Sequence, residues 1–263
     1  MKRIVFLGYG IVCYLMFQVV YTCLACFVEN FALPKTIDSV PVASDAAAVA
    51  GSTTWGAAVA IDVVLLLLFG LQHSVMARPW FKQAWTKIVP QEIERSTYVL
   101  ISNLTLLLMM WQWRAIPLVV WDVPGTAVRV LLIAISVVGW LIVPTVSLMI
   151  NHFDLFGVRQ VWLQWRGRKY SSLPFGVPML YRYMRHPLYV GFALALWATP
   201  TMTVGHLLMA GVLTGYMVLA SKIEERDLVN HFGALYADYR RQVPAFVPRI
   251  MGKKDRRQQT AQW

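Results

Sequence analysis

Uninterrupted apolar runs, rather than the alternation of a half-buried strand or the single stripe of a surface helix, dominate this chain. Runs long enough to cross a bilayer, about 20 residues each, lie near 4–28, 55–76, 97–113 and 127–150. A fifth run, 188–221, is too long for one crossing. Divided at Pro200 it predicts two helices of about 16 residues, each roughly 24 Å long at 1.5 Å per residue, joined by "ATPTMTVGH". The pattern predicts an all-α fold: a polytopic membrane bundle of about five to six spans whose last two form a short hairpin.

Composition agrees with the pattern: 58% of the residues are hydrophobic, 14% are charged and the mean hydropathy is +0.54. These values describe an integral membrane protein, with the lipid bilayer as its solvent. The net charge of +11 is read as topology and not as a nucleic-acid surface, because Lys and Arg collect in cytoplasmic loops. Of the 24 Lys and Arg, Lys35, Arg114 and Arg129 fall beside the loops that would lie outside, and the other 21 fall at the opposite ends of the runs. That bias predicts both termini in the cytoplasm. No linker, charge block or internal repeat divides the 263 residues, so one domain is expected. It has a four-span part over 1–150, a loop and hairpin over 151–250, and a basic tail over 251–263. The sequence carries no signal for oligomeric state.

Cys13, Cys23 and Cys26 all lie in the first run. Inside an apolar helix, with no second pair, the C-x-x-C reads as small packing residues and not as a redox or zinc site.

The candidate chemistry begins at "YRYMRHPLYVG", residues 181–191. Pro187 suits the first turn of a helix, where a missing N–H costs nothing, so His186 sits at the helix start. Free amides there, with Arg182 and Arg185 alongside, predict an anion site for a carboxylate or phosphate. The returning arm of the hairpin ends in "EERDLVNHFGALYADYRRQVP", residues 224–244, which brings Glu224 and Glu225 back to the level of His186. Tyr236, Tyr239 and Phe246, interleaved with Arg240 and Arg241, offer surfaces for a flat ring. S-adenosylmethionine suits this inventory: an α-carboxylate for Arg and helix amides, a ribose diol for a Glu, and an adenine for Tyr or Phe. A nucleotide or a phospholipid head group would use much of the same set.

The combination "RHPLYVG", then "EERDLVNHFGALYADYRRQVPAFVP", resembles the C-terminal half of the isoprenylcysteine carboxyl methyltransferase and phospholipid methyltransferase superfamily. The resemblance covers roughly residues 181–248 and implies S-adenosylmethionine as cofactor. The implied donor site takes in Tyr183, Arg185, His186, Pro187, Tyr189, Gly191, Glu224, Glu225, Tyr236, Tyr239 and Arg240. "FGLQHSVMARPWFK", "ERSTYVL", "FDLFGVRQVWL" and "GFALALWATPTMTVGHLL" extend the likeness over nearly the whole chain. They resemble the methanethiol S-methyltransferases, bacterial membrane enzymes, and this implies an inner (plasma) membrane enzyme making dimethyl sulfide from a small thiol. "QHSVMARP" also resembles membrane proteins of the nitric-oxide-reductase-associated type and the related zeta-carotene isomerase, which implies a haem-binding isomerase as the alternative. A prenyl-cysteine or lipid acceptor is a further alternative within the methyltransferases.

A thiol is attacked through its thiolate, so a base is expected near the acceptor. His73 ends the second run, and His152 and Asp154 begin the loop after the fourth. His73 or His152 is the expected base, with Asp154 orienting His152. The same residues with His186 lack the usual metal-ligand spacings, so no metal is assigned.

Overall fold

The computed structural model describes residues 1–39 and 55–249; the basic tail expected over 251–263 lies outside them. Ten α-helices and one 3-10 helix, Met179–Arg182, appear among the described residues. The α-helices are α1 (Lys2–Val28), α2 (Trp55–Ala77), α3 (Pro79–Trp85), α4 (Gln91–Gln112), α5 (Thr126–Ile150), α6 (His152–Leu155), α7 (Val158–Trp165), α8 (Pro187–Trp197), α9 (Val204–Phe232) and α10 (Ala234–Gln242). Strands β1 (Val119–Asp122) and β2 (Thr201–Thr203) pair antiparallel, with Val119 opposite Thr203 and Asp122 opposite Thr201. The protein is a multi-pass helical membrane bundle.

Helices α1, α2, α5 and α9 are long and apolar enough to cross a bilayer. Helix α4 holds the run read as a span over 97–113, but it carries Ser96, Ser102 and Asn103 buried within it. It packs against both α1 and α2, so its polar side chains face helices and not lipid. Around the bundle, α2 contacts α9, α9 contacts α8, and α8 lies along α5. Tyr21 of α1 completes the circuit by donating to the Trp140 carbonyl of α5 at 2.6 Å.

The hairpin differs from its expected form of two equal helices. Helix α8 has only 11 residues and α9 has 29, about 16 Å against about 43 Å at 1.5 Å per residue. Residues 198–203 replace the missing turns as extended chain. Such backbone survives at membrane depth only when its polar groups are paired. Here Val123 N–H donates to the Pro200 carbonyl at 3.0 Å, Val204 N–H to Leu118 at 2.8 Å and Gly205 N–H to Ile116 at 3.1 Å. From that end, α9 rises roughly 32 Å to Glu225, about one hydrocarbon thickness. The break and the charged end of α9 therefore lie at opposite faces.

Both ends of the described chain lie at the charged face. Gly10 of α1 sits against Val161 and Ser96, and Arg249 N–H donates to the Tyr183 carbonyl at 3.0 Å.

Two glycines set the distance between α5 and α8. A Cβ on Gly139 would fall 2.5 Å from the Ala195 nitrogen and 2.7 Å from the Gly191 oxygen. One on Gly191 would fall 2.9 Å from Ile142 Cγ2 and 3.0 Å from the Gly139 oxygen. The backbones touch there, as small residues allow in membranes, and His186 is placed one turn beyond. Gly139→Ala should lower stability by about 1–3 kcal/mol, the usual size for overpacking, in thermal unfolding in detergent. Gly8→Ala, whose Cβ meets nothing within 4 Å, should leave it unchanged. Equal effects would show that the contact does not set the helix spacing.

Candidate active site

A cavity of about 1330 Å³ opens at the charged face. One wall comes from the C-terminal third of the chain and the other from α3, α4 and the segment between α5 and α8.

Between the first wall and the bundle lies a buried charge cluster. Glu225 Oε1 accepts from Arg185 Nε at 2.7 Å and from His186 Nε2 at 2.9 Å. His186 is 6% exposed and Glu225 8%. Arg185 also donates through Nη1 to the Arg240 carbonyl at 2.9 Å and to the Val243 carbonyl. The backbone follows: Arg185 N–H donates to Pro244 O at 2.9 Å and His186 N–H to Ala245 O at 3.0 Å. Chain 243–245 thus closes the mouth of α8. The Arg185 guanidinium and the Arg185 and His186 amides are taken up by the protein itself. Arg185 is an internal strut, and Arg182 is exposed at the cavity edge.

Neighbouring helical residues point about 100° apart, and the two glutamates divide accordingly. Glu225 turns inward. Glu224 lines the cavity with its side chain 45% exposed. Tyr189 donates to Glu224 Oε2 at 3.0 Å, and the His186 ring stacks on Tyr189 with centroids 5.3 Å apart. His186 Nδ1 is 3.9 Å from Glu224 Oε2, so the imidazole lies between the two carboxylates.

The C-terminal wall is aromatic. Tyr236 and Tyr239 are buried and pack with Val177, Phe175, Tyr181 and Phe232. Phe175 meets Tyr236 and Tyr239 edge-on at 5.9 and 5.7 Å, and Tyr239 donates to the Tyr181 carbonyl at 2.7 Å. Burial pushes the Tyr181, Tyr236 and Tyr239 phenols well above their ordinary range, so the wall stays neutral.

The opposite wall is polar. It carries Lys82 of α3, Glu94 and Arg95 of α4, Asp154 of α6 and Gln160 of α7. Gly157 makes this approach possible. Its φ is +86°, and a Cβ there would lie 2.6 Å from Ser96 Oγ and 2.7 Å from Ser96 N. Arg95 Nε donates to the Leu155 carbonyl at 2.6 Å. Asp154 pairs with Arg159 at 3.0 Å and accepts from Tyr170 at 3.3 Å.

His73 and His152, the expected bases, lie outside this cavity because each ring serves helix packing. His73 meets the Tyr98 hydroxyl at 3.0 Å and Ser102 Oγ at 3.3 Å. His152 Nε2 meets the Tyr14 hydroxyl at 2.9 Å and its Nδ1 meets Ser147 Oγ at 2.8 Å. Burial lowers the His152 pKa. Asp154 does not orient His152, since its partners are Arg159, Gln160 and Tyr170. Among the other expected donor contacts, Pro187 opens α8 and Gly191 is spent on the α5 contact. Tyr183 gives its carbonyl to Arg249, and Arg240 is exposed and gives its carbonyl to Arg185. Sequence reasoning missed Phe175, Tyr181, Lys82 and Glu94. Phe175 stands in the Pro-rich "SSLPFGVPML" just before the recognised motif and Tyr181 is that motif's first residue, the one signal that could have found them.

Comparison with known proteins places these residues in context. Residues 62–226 match the family model described as NnrU protein. The chain is 48% identical over 252 residues to methanethiol S-methyltransferase 2 of Bradyrhizobium diazoefficiens, covering 96% of this chain and 93% of that one. It is 48% identical over 248 residues to methanethiol S-methyltransferase of Mycobacterium tuberculosis, covering 94% and 98%. It is also 34% identical over 187 residues to nurim of Rattus norvegicus, covering 65% and 68%. No solved structure matches.

The charge cluster makes a direct expectation. Glu225→Ala leaves Arg185 and His186 buried without their carboxylate and should lower stability by about 3–5 kcal/mol in thermal unfolding in detergent. Glu224→Ala, at a half-exposed position, should cost less than about 1 kcal/mol. Equal losses would mean that Glu225 is not the internal member of the pair.

Proposed function

Starting from a chain that belongs to the NnrU protein family and to the methanethiol S-methyltransferases, we propose that this methyltransferase moves a methyl group from S-adenosylmethionine to methanethiol, giving dimethyl sulfide. It works in the inner membrane with both termini in the cytoplasm. The charge bias supports this orientation, because the cavity lies at the basic face. The two parts of the chain, 1–150 and 151–250, act as one unit around it.

The observation that carries the reading is the cavity itself, where a neutral aromatic wall meets the Glu224 carboxylate and the buried His186 imidazole. The residues fit the donor. Phe175, Tyr236 and Tyr239 offer faces and edges to a purine, and Glu224 is an acceptor for ribose hydroxyls. When bound, S-adenosylmethionine supplies an electrophilic methyl group on a sulfonium.

The protein contributes position and proton transfer. With Glu225 accepting from Nε2, the second ring nitrogen of His186, Nδ1, is the one left toward Glu224 and the cavity. Nδ1 is the base that takes the thiol proton, a role that His73 and His152 cannot fill from outside the cavity. Arg185 keeps Glu225 ionised and aimed. The apolar helices α5 and α8 beside His186 exclude bulk water, which favours a reaction in which a thiolate and a sulfonium become two neutral sulfides. The small apolar acceptor reaches this edge from lipid or water.

Purified protein incubated with S-adenosylmethionine and methanethiol should yield dimethyl sulfide by gas chromatography; none would overturn the reading. His186→Gln keeps a donor toward Glu225 but has no base. Its turnover should fall roughly 100-fold at neutral pH with donor affinity kept. Raising the pH should restore much of the turnover, since solvent then supplies thiolate. Unchanged turnover at neutral pH would remove His186 from the role of base.

A further inference from the structure

The cavity extends past the aromatic wall to a set of polar groups without partners. The Glu94 Oε1 and Gln160 Oε1 atoms are buried and make no hydrogen bond. Gln160 has its amide nitrogen committed to the Asp154 carbonyl at 3.2 Å and to Asp154 Oδ1 at 3.4 Å, which leaves its oxygen as a bare acceptor. The third group is Lys82, half-buried on the same wall. Its ammonium has no hydrogen-bond or ion-pair partner among the described residues. A buried polar atom left unpaired costs about 1–3 kcal/mol, and two on one cavity wall beside a half-buried ammonium point to something they bind.

We propose that Lys82, Glu94 and Gln160 form a subsite for a zwitterionic α-amino acid terminus: Glu94 and Gln160 accept from its ammonium, and Lys82 donates to its carboxylate. The proposal rests on the donor reading above, and it assigns this wall to the methionine end of S-adenosylmethionine.

The choice of a zwitterion follows from the signs of the free groups. A ligand bearing only an anion would set its charge against Glu94, and one bearing only a cation would set it against Lys82. A zwitterion satisfies both. Of the other charged residues that line the cavity, Asp154 is engaged with Arg159 and Tyr170 and Arg95 with the Leu155 carbonyl, whereas Arg3, Arg168 and Lys169 are exposed and Glu92 half-buried. The α8 mouth is also closed, because chain 243–245 and Glu225 take up the Arg185 and His186 donors. That leaves the polar wall for the amino acid. The close approach at Gly157 holds 154–160 against 94–96, so the subsite is built by packing and not by a free loop. Burial and the neighbouring Arg95 lower the Lys82 pKa while Glu94 acts against them, and a ligand carboxylate would add to the counter-charge on this ammonium.

The test compares two ligands by titration calorimetry on the full chain in detergent. S-adenosylhomocysteine carries the amino acid end; 5′-methylthioadenosine has the same nucleoside without it. Glu94→Gln and Lys82→Met should each weaken S-adenosylhomocysteine about tenfold or more, the size of one lost charge-assisted hydrogen bond. Both variants should bind 5′-methylthioadenosine within about twofold of the parent, since no charge-assisted contact to that ligand is lost; this also reports that they have folded. Parent-like affinity for S-adenosylhomocysteine in both variants overturns the subsite and leaves the donor reading standing. Equal loss for the two ligands also overturns it, by removing the selectivity. A parent protein that binds neither ligand overturns the donor reading and the subsite together.

Discussion

The Arg185–Glu225–His186 cluster is the interaction on which the rest of the site depends. It joins the start of α8, the charged end of α9 and chain 243–245, three segments that share no continuous helix. Buried charges are stable only when fully paired, so these segments have one relative position that leaves no charge exposed to hydrocarbon. The short α8 makes that position reachable. With 11 residues, and an extended segment hydrogen-bonded to 116–123 at the far face, it delivers His186 level with a carboxylate one membrane thickness along α9.

From that fixed point the two walls follow. Helix α9 continues past Glu225 to Phe232, and Gly233, with φ of +62°, turns the chain into α10, whose Tyr236 and Tyr239 fold back over the cavity. Gly157 serves the other wall by letting the loop after α5 touch the α4 backbone. The cavity therefore depends on close backbone contacts made by both halves of the chain, which is why neither half accounts for it alone. Its neutral aromatic side and its charged side suit a molecule with a flat ring at one end and a zwitterion at the other.

Much of this was legible in the sequence. The long apolar runs became helices α1, α2, α5 and α9 because a continuous run of about 20 residues has few other stable forms in a bilayer. His186 before Pro187 and the Glu224–Glu225 pair were found because a charge at the mouth of an apolar helix is expensive without a partner. The lengths of α8 and α9 were hidden, since hydropathy cannot distinguish a helix from extended chain paired to a distant strand. The separate fates of Glu224 and Glu225 depend on helix rotation, which adjacent identical residues do not reveal. His73 and His152 looked reactive in sequence, whereas Tyr98, Ser102, Tyr14 and Ser147, which engage them, lie 5 to 138 positions away. Lys82 and Glu94 stood unnoticed because nothing local distinguishes a cavity-facing charge from a solvated one.

The central claim is that the donor lies with its adenine on the Phe175–Tyr236–Tyr239 wall. An 8-azidoadenosyl analogue of S-adenosylhomocysteine, irradiated with the purified protein and mapped by peptide mass spectrometry, tests it directly. Label should fall within 174–181 or 232–239 and disappear when excess unmodified S-adenosylhomocysteine is present. Competable label confined to α3 and α4, or to the far face around 116–123, would contradict it.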